Sequence, residues 1–194
     1  PTGNLWSKKD IMEIIKQSNG IVVIDEAYGA FSGESFISEI GRFENLVIMK
    51  TLSKIGFAGI RLGYLLGENS LISNINKLRL PFNINSVSQK ISEISIDNSE
   101  HLDSQINEII EQKDILISKM QEIDKIETYS SKTNFVLFRI LDGSADDIFN
   151  SLVSSTILIK NMSDSAGLEN CLRVTVGSRK ENNLFIQSLK KSLI

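Results

Sequence analysis

The spacing of apolar residues changes along the chain, and each change marks a predicted element. Ser7 and Asp10 precede Ile11, Met12, Ile14 and Ile15. A hydroxyl N-cap and a first-turn acid ahead of an apolar stripe predict a helix, which Ser18-Asn19-Gly20 ends. Residues 21–24 form an unbroken apolar run that ends in Asp25-Glu26. Such a run predicts a strand buried on both faces, with polar groups at its carboxyl tip. Residues 46–49 repeat the pattern, and 60–66 are a third candidate strand. This order predicts an α/β fold with a mostly parallel sheet. In such sheets ligands bind beyond the carboxyl ends of the strands, where Asp25 and Lys54 fall.

Pro81-Phe82-Asn83 interrupts the pattern, and two helices follow over 86–96 and about 102–123, split at Asp97-Asn98-Ser99. The remainder reads as strand 134–140, helix 145–155, strand 156–160, strand 171–176 and helix 179–193. Ala145, Ile148, Phe149, Leu152 and Val153 make one stripe on the first of those helices. The expected organisation is part of a large domain over 1–80, linking helices over 81–125 and a small C-terminal α/β domain over 126–194. No internal repeat or low-complexity tract is visible.

The 194 residues carry a net charge of −3 and are 41% hydrophobic, an ordinary globular composition. The slight acidity gives no reason to expect nucleic acid or an anionic membrane as partner. Cys171 is the single cysteine, so no disulfide can form within the chain, and a reducing, cytoplasmic setting is expected. No apolar run reaches spanning length, and the first residues lack a basic-then-apolar leader pattern. Asn161-Met162-Ser163 matches a glycosylation acceptor by chance. The turn-forming opening Pro1-Thr2-Gly3, with no methionine and nothing before the first helix to pack on, is expected to belong to a longer chain.

The chemistry concentrates in Thr51-Leu52-Ser53-Lys54-Ile55-Gly56-Phe57-Ala58-Gly59-Ile60-Arg61. It sets an amine able to form a Schiff base a few residues before an arginine able to grip a phosphate, with hydroxyls and glycines around both. A pyridoxal-phosphate site needs these groups. A lone lysine is more often a solvated surface group, but this one follows a buried-type strand and precedes a glycine-bearing loop. Arg61 lies within the third predicted strand, where an unpaired charge is costly. Asp25 reads either as a cap or as the partner of a protonated ring nitrogen, and Tyr28 either as a rim aromatic or as a donor to the ring oxygen. In 171–176, alternation puts Leu172, Val174 and Val176 on one face and Cys171, Arg173 and Thr175 on the other. Arg173 therefore needs an anionic partner, and an internal ion pair and a substrate carboxylate serve equally well. His101 sits in a polar stretch and builds no metal site from spacing alone. Cys171 reads as a small buried hydrophobe.

Taken in order, Pro1-Thr2-Gly3, Asp25-Glu26-Ala27-Tyr28, Thr51-Leu52-Ser53-Lys54, Arg61-Leu62-Gly63-Tyr64 and Leu172-Arg173-Val174-Thr175-Val176-Gly177 resemble the fold-type I pyridoxal-phosphate aminotransferases. Pro81-Phe82-Asn83-Ile84-Asn85 and Thr133-Asn134-Phe135-Val136-Leu137-Phe138 are similar to the histidinol-phosphate branch in particular. The resemblance implies the aspartate aminotransferase-like fold. It also implies amino transfer between L-histidinol phosphate and 2-oxoglutarate in histidine biosynthesis, and a homodimer handling small-molecule substrates. Sibling activities of the fold, an aromatic amino-acid aminotransferase or a phosphothreonine decarboxylase, are the alternatives, along with an inactive fragment. By the resemblance, Lys54 would form the Schiff base, Asp25 and Tyr28 would meet the ring, and Thr51, Ser53 and Arg61 would hold the phosphate. Arg173 would bind the substrate carboxylate. Lys160 stands where relatives often carry an arginine thought to meet the substrate phosphate, and it keeps the charge without the fork. The resemblance spans the whole chain but only the C-terminal part of the enzyme, so the chain by itself is expected to be inactive.

Overall fold

The structure is a computed structural model and describes residues 2–194; Pro1, the first residue of the predicted opening turn, lies outside the described residues. The chain divides into two compact units, Leu5–Ile106 and a second comprising Asn107–Ile194 with the start of the chain up to Asn4.

In the first unit, α1 (Lys8–Gln17) forms where its cap predicts, with Ser7 Oγ accepting from the Asp10 N–H at 3.4 Å. Its apolar stripe buries Ile15 against Phe36, Leu46 and Ile48. Three strands follow, β1 (Val22–Asp25), β2 (Leu46–Thr51) and β3 (Gly63–Gly67), ordered β1-β2-β3. The chain runs from β1 to β2 through α2 (Gly29–Ser32) and a 3-10 turn at Ile37–Glu39, and the two strands pair in parallel. β3 pairs antiparallel to β2. The sheet is therefore mixed where a mostly parallel one was predicted. The Lys54 loop reverses the chain directly, whereas a parallel return needs a long crossover. α3 (Asn69–Lys77) and α4 (Ser86–Asp97) complete the unit, with Asn85 capping α4 by accepting from the Ser88 N–H at 2.8 Å.

Two predicted features of this sheet need correction. β1 is not buried on both faces: Val23 is 55% exposed. It is the outer strand of its sheet, and α1 covers only the face that carries Leu46 and Ile48. The third strand begins at Gly63, not at residue 60, because Ala58–Ile60 close a 3-10 turn and Arg61 adopts the left-handed conformation (φ 54°). Arg61 is therefore an exposed loop residue and not an arginine within a strand.

α5 (Ser99–Gln121) begins in the first unit and continues into the second, after a break at Asn98 where the sequence predicts one. The second unit then runs β4 (Ile126–Thr128), β5 (Phe135–Ile140), α6 (Ala145–Ser154), β6 (Lys160–Asn161), β7 (Cys171–Thr175) and α7 (Arg179–Ser192). Its strands are ordered β4-β5-β7-β6, and every pair is antiparallel. The predicted alternation in β7 holds: Leu172, Val174 and Val176 enter a core with Val136, Phe138, Leu152 and Leu189. Phe138 and Phe185 meet edge to face at 6.1 Å, worth roughly 0.5–1.5 kcal/mol beyond area burial. Cys171 is fully buried on the opposite face with Leu137 and Met162.

Candidate active site

The first unit places most of the expected residues at one end of its sheet. Leu46 and Ile48 face α1, so by the period of two Val47, Met49 and Thr51 face the other way, beside Val23 and Asp25 of β1. Against that face lies a cavity of about 820 Å³. Asp25, Thr51, Ser53 and Arg61 all line it, together with Tyr64 and Arg79.

Each side chain is held by its own segment. Asp25 ends β1, and its Oδ1 accepts from the Ala27 N–H at 2.9 Å, an Asx turn that starts the loop to Tyr28. Thr51 ends β2, and its hydroxyl lies 2.9 Å from Ser53 Oγ, 3.1 Å from the Leu62 carbonyl and 3.0 Å from the Ser53 N–H, from which it accepts. This small network shapes the start of the Lys54 turn. Arg61 keeps its left-handed backbone at a cost of about 1–2 kcal/mol, and its Nη1 donates to the Ala58 carbonyl at 3.4 Å. Opposite Thr51, a Cβ on Gly63 would lie 2.9 Å from the Lys50 carbonyl oxygen, so only glycine lets β3 run this close to β2.

Lys54 and Tyr28 stand together outside the cavity lining, with Lys54 Nζ 5.3 Å from the centre of the Tyr28 ring. Condensation with an aldehyde requires Lys54 to leave that ring and lose a proton.

Two residues that the sequence reading did not single out tie these segments together. Glu26 is buried; its carboxylate accepts from the Phe36 N–H and from Ser35 Oγ, each at 2.7 Å, and pairs with Lys50 Nζ at 3.2 Å. No spacing rule connects positions so far apart in sequence, so a single chain carries no signal for the pair.

In the second unit, Lys160 of β6 is the direct register partner of Arg173 of β7. Like charges opposite one another weaken a ladder, and an anion placed between them removes the repulsion. Arg173 is half-buried, with its guanidinium carbon 4.5 Å from the centre of the Phe135 ring, which orients it. Lys160 is exposed.

These donors fit a phosphorylated aldehyde cofactor. Two hydroxyls and a guanidinium have the chemistry to hold a phosphate, Asp25 that to meet a ring nitrogen, and Lys54, just beyond the lining, that to condense with an aldehyde. The fold defines an α/β chain of the fold-type I aminotransferase kind. The family described as "Aminotransferase class I and II" matches residues 1–189, and the chain belongs to that family. Histidinol-phosphate aminotransferase 2 of Nitrosococcus oceani is 42% identical over 98% of this chain and 53% of its own length. The histidinol-phosphate aminotransferase of Aquifex aeolicus is 40% identical over 100% of this chain and 54% of its own length. The crystal structure of the enzyme from Clostridium acetobutylicum superposes with a TM-score of 0.90 at 25% identity, over 98% of this chain and 60% of that one. The chain thus spans about half the length of the curated relatives it matches.

Proposed function

We propose that this chain supplies about half of a pyridoxal-phosphate-dependent histidinol-phosphate aminotransferase. Such an enzyme transfers an amino group between L-histidinol phosphate and 2-oxoglutarate in histidine biosynthesis. The observation that carries the reading is the cavity gathering Asp25, Thr51, Ser53 and Arg61 at the carboxyl ends of β1 and β2, next to the Lys54 turn. The names borne by its relatives at about 40% identity support the choice of substrate.

When bound, the cofactor supplies an electron sink for charge that develops at the substrate α-carbon. Several parts of the chemistry fall to this chain's residues. Lys54 would anchor the cofactor and then move a proton at the substrate α-carbon. Asp25 keeps the pyridine nitrogen protonated, because a carboxylate beside it favours the charged form. Tyr28 donates to the ring oxygen. Thr51, Ser53 and Arg61 hold the phosphate. Arg173 receives the substrate carboxylate end-on, and Lys160 beside it meets the phosphate of the amino donor. One site serves both substrates in turn, so ping-pong kinetics follow. The protein acts as a cytoplasmic homodimer, and the chain by itself is inactive.

The test is a panel of amino donors given to the full natural protein with 2-oxoglutarate: L-histidinol phosphate, an aromatic amino acid and O-phosphothreonine. The reading expects the largest kcat/KM with histidinol phosphate. A larger value with an aromatic amino acid, or release of carbon dioxide from phosphothreonine, assigns the protein to a sibling activity.

A further inference from the structure

Glu26 stands next to Asp25 in sequence, yet its side chain points into the protein while Asp25 is exposed at the cavity. Its surroundings are unusual for a carboxylate. The side chain is 6% exposed and meets three donors: the Phe36 N–H, Ser35 Oγ and Lys50 Nζ. A buried carboxylate is tolerated only when its lone pairs are matched in this way. The Glu26 N–H also donates to the Met49 carbonyl at 2.8 Å, and the Gly29 N–H donates to the Glu26 carbonyl at 2.9 Å. Gly29 packs so tightly on this side chain that a Cβ there would lie 3.3 Å from Glu26 Oε2.

These contacts converge from two segments. Ser35, Phe36 and Gly29 belong to the β1–β2 connection that carries Tyr28 at the start of α2, and Lys50 lies on β2 just before Thr51, Ser53 and Lys54. We infer that Glu26 is a positioning residue: its carboxylate sets Tyr28 against the Lys54 turn. This inference rests on the proposed function, and its consequence is specific. Tyr28, donating to the ring oxygen, helps hold the proton affinity of the lysine-bound cofactor low. Removing the charge of Glu26 releases Lys50 and loosens the Tyr28 loop, so the Tyr28 hydrogen bond lengthens and that affinity rises.

The test is a pH titration of the cofactor absorbance band in the full natural protein and in E26Q, Y28F and E26Q/Y28F. Each is normalised to the fraction of Lys54 trapped by borohydride. E26Q and Y28F are both expected to raise the midpoint pH, and the double variant is expected to shift no further than Y28F alone, because the two residues act through one hydrogen bond. A purely structural role for Glu26 lowers the trapped fraction and leaves the midpoint where it was. An unchanged midpoint in E26Q, or shifts that add in the double variant, overturns the inference while leaving the proposed function standing. Absence of a trapped Lys54 in the wild-type protein overturns both. Should E26Q fail to fold, K50Q removes the same ion pair from its other member, and the same cycle with Y28F decides the matter.

Discussion

Replacing Gly63 by alanine probes the geometry of the site most sharply. The new Cβ would lie 2.9 Å from the Lys50 carbonyl oxygen, whereas ordinary contacts of this kind begin at 3.4 Å. The obstacle is backbone, so no side-chain rotation relieves it, and β3 must move from β2 by about 0.5 Å at the Thr51–Gly63 pair. Overpacking of this kind costs about 1–3 kcal/mol, or roughly 5- to 150-fold in an equilibrium constant. The displacement falls on Thr51, whose hydroxyl bonds Leu62 and Ser53, so cofactor affinity is expected to fall along with stability. The assay is a denaturant midpoint and an absorbance titration with pyridoxal phosphate, both on the full natural protein. Gly20→Ala is the control, because nothing lies within 4 Å of that Cβ, and it is expected to be neutral or slightly stabilising. If G63A matches G20A in both measurements, the close approach of β2 and β3 does not shape the cavity.

Other expectations follow from the second unit. Ser178→Ala removes the capping box of α7, in which Ser178 and Glu181 satisfy one another's termini, and should cost about 1 kcal/mol. The Ser178 hydroxyl and N–H hold the Glu181 carboxyl below its ordinary value of 4.5, so that part of the stability is present above pH 4.5 and lost as pH falls further. Urea melts of S178A should therefore draw closer to wild type at low pH, keeping the gap that belongs to the hydroxyl cap on the Glu181 N–H, and a gap independent of pH would refute the pairing. Lys113 of α5 is 3% exposed, and burial lowers its pKa from the ordinary 10.5. A lowered lysine destabilises the fold while the unfolded chain binds the extra proton, so stability should rise as pH climbs through the window below 10.5. Lys113→Met should raise the melting temperature at neutral pH and flatten that rise; a lower melting temperature would mean that the ammonium is well paired.

Local chemistry made much of this molecule legible in advance. The cap at Ser7 and the break at Asn98 set helix ends because they satisfy backbone groups within a few residues. The alternation in 171–176 survived because one face of β7 is a true core face. Asp25 could be nominated because strand tips in α/β sheets gather ligands, and Thr51, Ser53 and Arg61 because hydroxyls and a guanidinium suit a phosphate; the cavity does bring these four together. What escaped depends on neighbours distant in sequence. The exposure of Val23 depends on which strands flank β1, and the apolar run 21–24 reads the same in either case. Arg61 read as a strand residue because its apolar neighbours hide a left-handed turn. β4 and β6 are only 3 and 2 residues long, too short to show a period, and the register that sets Lys160 beside Arg173 depends on their pairing. The Glu26–Lys50 pair is likewise a product of the β1–β2 arrangement.

The central claim, that Lys54 carries a pyridoxal-phosphate cofactor, is tested most directly by mass. The full natural protein would be incubated with pyridoxal phosphate, reduced with borohydride, weighed intact and mapped by peptide. The account predicts one reduced pyridoxyl phosphate group per chain, located on Lys54 and absent from K54A. No adduct, or an adduct placed on Lys50 or another lysine and retained in K54A, would contradict it.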